Sequence, residues 1–277
     1  MTAAPYPRTL RLAPRLPEIC RLGLATRGTS RLRPEDVEAA LERGINYLNW
    51  CGRPDGLSQA VAGLGKARES VVVAVQFRSR TARGAARELE RLLEQLRTDY
   101  LDVVTFYYVE SHEQWRRLLA PDGAWGYLQR QKEQGRLRLI GLTSHQRRLA
   151  AGWAVSGALD LLMIRYNAAH RGAEQEVFPT TSARGMPVVS FTALRWGALL
   201  KRTPEDPPGF RPPSPADCYR FCLAQPAVSV VLAAPGDRAK LEHDLSFLEE
   251  WNPPAAAELE RLRAHGDRLR RHAGPFP

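Results

Sequence analysis

Short apolar runs alternate with longer amphipathic stretches along the whole chain. The runs VVVAVQF at positions 71–77 and LDLLMI at positions 159–164 are apolar at nearly every position, which is typical of parallel strands covered on both faces. Eight such runs predict strands, at Ile19–Ala25, Ile45–Trp50, Val71–Phe77, Leu101–Tyr108, Arg138–Thr143, Ala158–Ile164, Pro187–Phe191 and Val228–Leu232. The stretches between them predict helices, at Pro34–Arg43, Leu57–Lys66, Thr81–Arg97, Glu113–Gln134, Gln146–Val155, Ala173–Arg184, Pro215–Ala224 and Asp237–Leu248.

The repetition of strand and helix predicts the fold class. Eight β/α units are the number that closes an α/β (β/α)8 TIM barrel. No G-x-G-x-x-G fingerprint follows any of the runs, so an open dinucleotide-binding sheet is not indicated. We expect an N-terminal extension at 1–18, the barrel at 19–252 and a C-terminal helix packed on the barrel at 253–277. The Pro-rich segment Lys201–Pro213 is expected to form a long loop on the active-site face.

Composition narrows the class of protein. The chain has 277 residues, of which 44% are apolar, enough for one barrel with a sizeable core. No apolar stretch is long enough to span a membrane, and the first twenty residues lack the apolar segment of a secretion signal. The sequence therefore predicts a cytoplasmic protein without a membrane partner.

The net charge of +10 raises the question of a nucleic-acid partner. Arginines alternate with glutamates on the expected helices, as in RELER at positions 87–91, and such pairs form a solvated helix face. We therefore expect no nucleic-acid partner.

The four cysteines, at positions 20, 51, 218 and 222, are too few and too scattered for a disulfide framework. Cys218 and Cys222 would share one helix face, but no second Cys or His pair with ligand spacing accompanies them. Buried free thiols are the better interpretation, and no metal site is expected.

Several local motifs resemble those of the aldo-keto reductase family, in the same order along residues 19–250. Lys132–Ser144 is similar to that family's K-x-x-G-x-I-R-x-I-G-V-S-N run, and Tyr100–Val104 to its Y-I-D-L strand. Gly185–Leu194 is similar to G-I-x-V-x-A-Y-S-P-L, while Gln225–Val228 and Lys240–Leu245 match the closing part of the family pattern. The resemblance implies the same barrel and a nicotinamide cofactor.

The resemblance also implies a catalytic set of Asp, Tyr, Lys and His, and this chain replaces all four. Asn49 stands at the Asp position, Arg53–Asp55 contains no Tyr, Gln76 replaces the Lys, and Tyr107 replaces the His. A Lys lowers the pKa of a catalytic Tyr, which Gln76 cannot do. An Asp without its Lys would be an uncompensated buried charge, so Asn49 and Gln76 are expected to form a neutral, hydrogen-bonding pair.

Part of the cofactor pattern implied by the resemblance is kept. Thr143 and Ser144 stand where the family binds the nicotinamide amide, and Phe191 supplies a ring where the family stacks one on the nicotinamide. Thr192 and Leu194 follow in the same motif, and Lys240 aligns with a cation that binds the 2′-phosphate. His243 and Asp244 replace an E-N pair, and the Asp is expected to repel phosphate. The sequence thus predicts weak or altered NADP binding.

Other polar and aromatic residues at the strand ends have a functional and a structural interpretation. Tyr107 could serve as a replacement acid with Arg78 stabilising its phenolate, or it could only fill the vacated space. Cys51 could be a nucleophile but is interpreted as a small buried side chain. His112 and His145 both follow strands and could face the same opening, but they are interpreted as surface histidines of loops. Trp50 and Trp196 suit either the core or the lining of a pocket.

Two functional hypotheses remain. The first is a pseudoenzyme or repurposed homologue that binds a small molecule or a partner protein without standard carbonyl reduction. The second is an NADP-dependent oxidoreductase that reduces a carbonyl or imine with Tyr107 as an atypical acid. An iminium substrate favours the second hypothesis, because its reduction needs no proton donor.

Overall fold

The computed structural model describes residues 6–272. The strands are β1 (Thr9–Leu10), β2 (Ile19–Cys20), β3 (Leu22–Ala25), β4 (Tyr47–Trp50), β5 (Val72–Phe77), β6 (Leu101–Phe106), β7 (Leu137–Ser144), β8 (Leu161–Arg165), β9 (Val188–Phe191) and β10 (Val228–Ala233). The α-helices are α1 (Pro34–Glu42), α2 (Gly56–Gly63), α3 (Ala82–Leu96), α4 (His112–Leu119), α5 (Ala124–Glu133), α6 (Arg147–Ala154), α7 (Ala173–Glu176), α8 (Phe178–Ala183), α9 (Pro215–Leu223), α10 (Arg238–Leu245) and α11 (Ala256–His272). Short 3-10 turns lie at Gly65–Ser70, Ala198–Leu200 and Ser246–Leu248.

Strands β3 to β10 close into a parallel barrel in which β10 pairs with β3. This arrangement confirms the predicted (β/α)8 TIM barrel. Alternate strand residues point inward, as Val72, Val103, Leu139 and Val189 do in the inner apolar cluster. The other strand faces pack against the surrounding helices in a second, larger cluster, which explains why the strands are apolar at almost every position.

Helix α3 shows how the sequence positions these outer helices. Its N-cap Thr81 accepts a hydrogen bond from the backbone N–H of Gly84, which satisfies one of the free donors at the helix start. Leu89, Leu92 and Leu96 are fully buried, so the helix lays a single apolar stripe on the barrel.

The expected first strand Ile19–Ala25 is wrong in one respect, because it is two strands divided at Arg21. Ile19–Cys20 pairs antiparallel with Thr9–Leu10 in a separate hairpin, and only Leu22–Ala25 belongs to the barrel. The buried Arg21 guanidinium donates hydrogen bonds to the carbonyl oxygens of Pro7 and Val228, at 3.2 and 2.8 Å. The structural division between hairpin and barrel therefore falls at Arg21.

Two expected helices are also divided. The stretch Glu113–Gln134 breaks between α4 and α5 at Pro121, which has no backbone N–H to continue a helix. The stretch Ala173–Arg184 breaks at Val177, whose φ of −126° is not helical. In the C-terminal stretch, α11 packs on the barrel through Leu262 and Leu269; residues 273–277 lie outside the described part. Among residues 6–272, no helix is long and apolar enough to cross a membrane.

Candidate active site

Five of the predicted site residues meet at the end of the barrel where the strands have their carboxyl termini. Asn49 lies in β4, Gln76 in β5 and Thr143 in β7, while Phe191 ends β9 and Tyr107 directly follows β6. Since all eight strands are parallel, these positions face the same opening. In barrels of this kind that opening is where active sites are built, and we refer to it as the mouth.

Asn49 and Gln76 do not form the expected hydrogen-bonded pair. Asn49 is opposite Ala74, so Gln76 lies two residues farther along the neighbouring strand. The Asn49 side chain is 2% exposed, and its Oδ1 has no hydrogen-bond partner among residues 6–272. A buried acceptor without a partner costs free energy, so this oxygen is available to a bound donor.

Tyr107 lies beneath the guanidinium group of Arg78. The Arg78 guanidinium carbon is 4.4 Å from the centroid of the Tyr107 ring, so the contact is made to the ring face. On its other side Tyr107 meets Tyr108, with ring centroids 4.0 Å apart. Tyr108 has a φ of +47°, and burial raises its pKa to about 12. Tyr108 is therefore a neutral phenol at pH 7.

The mouth is completed by three further residues, His145, Glu110 and Arg165. The sequence did not indicate them as a group. Glu110 Oε1 lies 3.1 Å from His145 Nδ1, and the His145 ring stacks on Tyr108 at 4.3 Å. Burial lowers the pKa of Arg165 to about 10. The positions of His145 directly after β7 and of Glu110 shortly after β6 were the available sequence signals, because neighbouring strands bring such residues together.

A cavity of about 500 Å³ opens beside the mouth, between the segment after β9 and helix α10. Three residues expected to bind the cofactor, Thr192, Leu194 and Lys240, line it together. Thr143 and Ser144 do not line this cavity; they lie buried at the end of β7. The structure thus brings half of the expected cofactor residues into one cavity.

The charges around this cavity are mixed. Lys240 is exposed and pairs with Asp237 at 2.8 Å, and Arg27 contributes a second exposed cation to the lining. The Asp244 carboxyl accepts a hydrogen bond from the Tyr219 hydroxyl at 2.9 Å. Burial raises the pKa of Asp244 to about 7, so the carboxyl is partly protonated at neutral pH and repels an anion less than the sequence alone suggested.

The wall of this cavity after β9 has an unusual backbone. Thr192, Arg195 and Trp196 all have positive φ values, of 62°, 48° and 53°. Such angles are strained for residues other than glycine, and they occur at functional sites more than elsewhere. The Trp196 side chain is 53% exposed and lines the cavity. Nothing in the sequence pattern predicts this backbone.

The remaining candidate residues have mostly structural positions. Trp50 is buried and donates from Nε1 to the Arg53 carbonyl at 2.7 Å. His112 is exposed and packs against Trp153 at 5.9 Å, outside the group formed by His145. Cys51 is only half-buried, in contrast to the expectation, because it lines a cleft of about 300 Å³ with Gln76 and Arg78.

The other three cysteines are buried free thiols, as expected. Within the described residues, no group of three or more His, Cys, Asp or Glu side chains could hold a metal ion.

The model of the Aldo/keto reductase family matches residues 23–265. The chain therefore belongs to the aldo/keto reductase family. No curated protein matches the sequence.

Solved structures show the same fold at low sequence identity. The holo form of the aldo-keto reductase AKR11C1 from Bacillus halodurans is 19% identical with a TM-score of 0.75, over 93% of this chain and 96% of that one. The glycerol dehydrogenase AKR11B4 from Gluconobacter oxydans is 18% identical with a TM-score of 0.71, over 100% and 98%. An aldo/keto reductase from Klebsiella pneumoniae in complex with NADP and acetate is 14% identical with a TM-score of 0.71, over 90% and 92%.

Proposed function

We propose that the protein is an NADP(H)-dependent oxidoreductase that works without the family's usual catalytic set. The observation that carries this proposal is the cavity of about 500 Å³, where Thr192, Leu194 and Lys240 come together beside the mouth. The relative from Klebsiella pneumoniae was solved with NADP. An open cavity at this position favours a bound dinucleotide over a closed barrel that has lost its ligand.

The residues present fit such a cofactor. The Thr143 hydroxyl is buried and has no hydrogen-bond partner among residues 6–272, so it is available to the nicotinamide amide. Phe191 supplies the ring for stacking, and Lys240 and Arg27 supply cations for phosphate. When bound, the cofactor would supply or accept a hydride.

The residues at the mouth favour a substrate that accepts a hydride without strong activation by a proton donor. Asn49 and Gln76 are neutral and cannot supply the positive charge by which a Lys lowers the pKa of a neighbouring acid. A carbonyl that is already electrophilic, or an iminium, can accept a hydride with less help from a proton donor. Tyr107 with Arg78 is the proton donor that the sequence indicates for such a substrate.

Binding of NADPH tests the proposal directly. We expect a fluorescence titration of the purified protein to give a micromolar Kd, which Lys240→Ala weakens about tenfold because it removes a charge-assisted phosphate contact. Lys66→Ala is the matched control, since Lys66 precedes β5 at the opposite end of the barrel, and it should leave the Kd unchanged. No binding up to millimolar NADPH would exclude the oxidoreductase.

A second candidate is a homologue that binds a small molecule or a partner protein without hydride transfer. The observation in its favour is that neither Asn49 nor Gln76 can exchange a proton. Under this alternative, NADPH fails to bind or binds without any turnover. The buried free thiols at positions 20, 218 and 222 suit a reducing compartment, so we propose a cytoplasmic protein in either case.

A further inference from the structure

His145 and Glu110 form a carboxylate–imidazole dyad at the mouth. Glu110 Oε1 lies 3.1 Å from His145 Nδ1 and accepts the backbone N–H of His145 at 2.9 Å. An ionised carboxylate can only accept hydrogen bonds. Nδ1 therefore carries the ring proton, and Nε2 carries the lone pair.

The free nitrogen of this dyad is buried without a partner. Nε2 of His145 has no hydrogen-bond partner within the described part of the chain. The ring stands edge-on to Phe191, with centroids 6.2 Å apart and planes at 74°. Phe191 is the expected platform for the nicotinamide, so the imidazole ring lies near the region where the proposed hydride transfer would occur.

Three titratable or charged groups surround the imidazole: Glu110, Arg165 and Tyr108. Burial, and next the charge of Arg165, lower the pKa of His145, while Glu110 acts in the opposite direction. The ring is therefore neutral at pH 7, as a proton acceptor must be.

We infer that His145 is the proton-transfer residue of this site in the interconversion of an alcohol and its carbonyl, and that Glu110 is its positioning residue. The inference rests on the proposed oxidoreductase function. In the oxidation direction, the hydroxyl O–H bond breaks and its proton moves to Nε2 of His145. The carbinol C–H bond breaks, its electron pair leaves with the hydride to NADP⁺, and the C=O bond forms. His145 then releases its proton to solvent, and reduction follows the same path in reverse.

Nitrogen-15 NMR of the histidine rings tests the inference without any substrate. The chain has six histidines, and the signal lost in His145→Gln identifies the ring. We expect a neutral Nδ1–H tautomer at pH 7 in the wild type. In Glu110→Gln, the tautomer preference should weaken and the pKa should fall, because the stabilising negative charge is gone.

Cofactor binding should then act on this ring in a charge-dependent way. NADP⁺ should lower the pKa of His145 more than NADPH does, because only the oxidised nicotinamide is positively charged. An Nε2–H tautomer at pH 7, or an identical His145 spectrum with and without either cofactor, would overturn the inference. His112→Gln is the matched control, since His112 packs on Trp153 and should leave both effects intact.

Kinetics with 4-nitrobenzaldehyde and NADPH give a second readout. His145→Gln should lower kcat about a hundredfold or more and flatten its pH profile, with NADPH affinity unchanged. If His145→Gln keeps the wild-type rate and pH profile, the inference about His145 is overturned. The proposed oxidoreductase function would still be supported by NADPH binding. If NADPH does not bind to the wild type, both the inference about His145 and the proposed oxidoreductase function are excluded.

Discussion

Asp244 lies at the edge of the candidate cofactor cavity, and its side chain is almost completely buried. The Tyr219 hydroxyl, 2.9 Å away, is its hydrogen-bond donor. One hydrogen bond does not replace the hydration of a charged carboxylate, so burial raises the pKa of Asp244 to about 7. In the unfolded chain the same group ionises near pH 3.9.

We expect the stability of the protein to fall between about pH 4 and pH 7 because of this residue. Its folded pKa is raised, so the folded state binds the proton more tightly, and ionisation costs up to about 4 kcal/mol by pH 7. Asp244→Asn should remove most of that decline in urea unfolding. Glu260→Gln, at an exposed acid of α11, should keep the wild-type pH dependence. An unchanged pH dependence in Asp244→Asn would contradict this assignment.

Tyr107→Phe separates the two candidate proton-transfer groups at the mouth. If His145 carries the proton, the phenol only donates a hydrogen bond to the substrate oxygen, and its loss should lower kcat about tenfold. The pH profile of 4-nitrobenzaldehyde reduction should keep its shape. Complete loss of turnover in Tyr107→Phe would return the role to Tyr107, as the sequence alone suggested.

The sequence located some of these residues and missed others for physical reasons. Asn49, Gln76 and Tyr107 were located because each stands at or directly after a strand end, and their strands are strongly apolar. The pairing of His145 with Glu110 was missed because loop residues carry no periodicity that indicates where their side chains point. The raised pKa of Asp244 depends on burial, which a single sequence does not display.

Among the elements, α11 makes a close backbone contact with the segment that follows β8. A Cβ at Gly266 would lie 2.2 Å from the Ala168 carbonyl oxygen. The helix can approach this closely only because position 266 has no side chain. His265, next to it, is fully buried and lies 3.3 Å from Asp206 Oδ1, which ties the helix to the segment after β9.

Gly266→Ala should therefore destabilise the protein, by about 3 kcal/mol in urea unfolding, because backbone atoms must move to admit the methyl group. Gly152→Ala is the matched control in helix α6. A Cβ there meets no atom of residues 6–272 within 4 Å, so the substitution should add up to about 1 kcal/mol of stability through better helix propensity. Equal effects of the two substitutions would show that the contact at Gly266 is not tight.

Element types were predictable from the sequence where periodicity is strong, as in α3 and β5. The division of Ile19–Ala25 at Arg21 was not predictable from the sequence, because the run is apolar on both sides of the arginine. An arginine inside an apolar run is normally placed at a surface. Here its guanidinium satisfies backbone carbonyls where β2 leaves the hairpin and β3 enters the barrel.

At the scale of the whole molecule, the N-terminal hairpin closes the end of the barrel opposite the mouth. Leu12, Leu16 and Ile19 belong to the inner apolar cluster. The Arg21 guanidinium reaches from this hairpin to the carbonyl oxygens of Leu223 and Val228, at 3.3 and 2.8 Å. This side chain thus adds to the backbone pairing that joins the first and last strands of the barrel.

Arg21→Ala should lower the free energy of unfolding by about 3–5 kcal/mol, because it leaves several buried carbonyl groups without a donor. Arg11→Ala, at an exposed arginine of the same hairpin, should change it by no more than about 0.5 kcal/mol. Urea unfolding of both variants measures the difference. Equal values would mean that water satisfies the carbonyl groups once Arg21 is removed.

The pairing of β3 with β10, which closes the barrel, has a consequence for the newly made chain. Arg21 and Val228 are 207 positions apart, so the ribosome must synthesise nearly the whole protein before the barrel can close. Until then both β3 and β9 have unpaired edges, which can form hydrogen bonds with strands of other chains. We expect slow folding with a need for chaperones during synthesis, since contacts so distant in sequence form late.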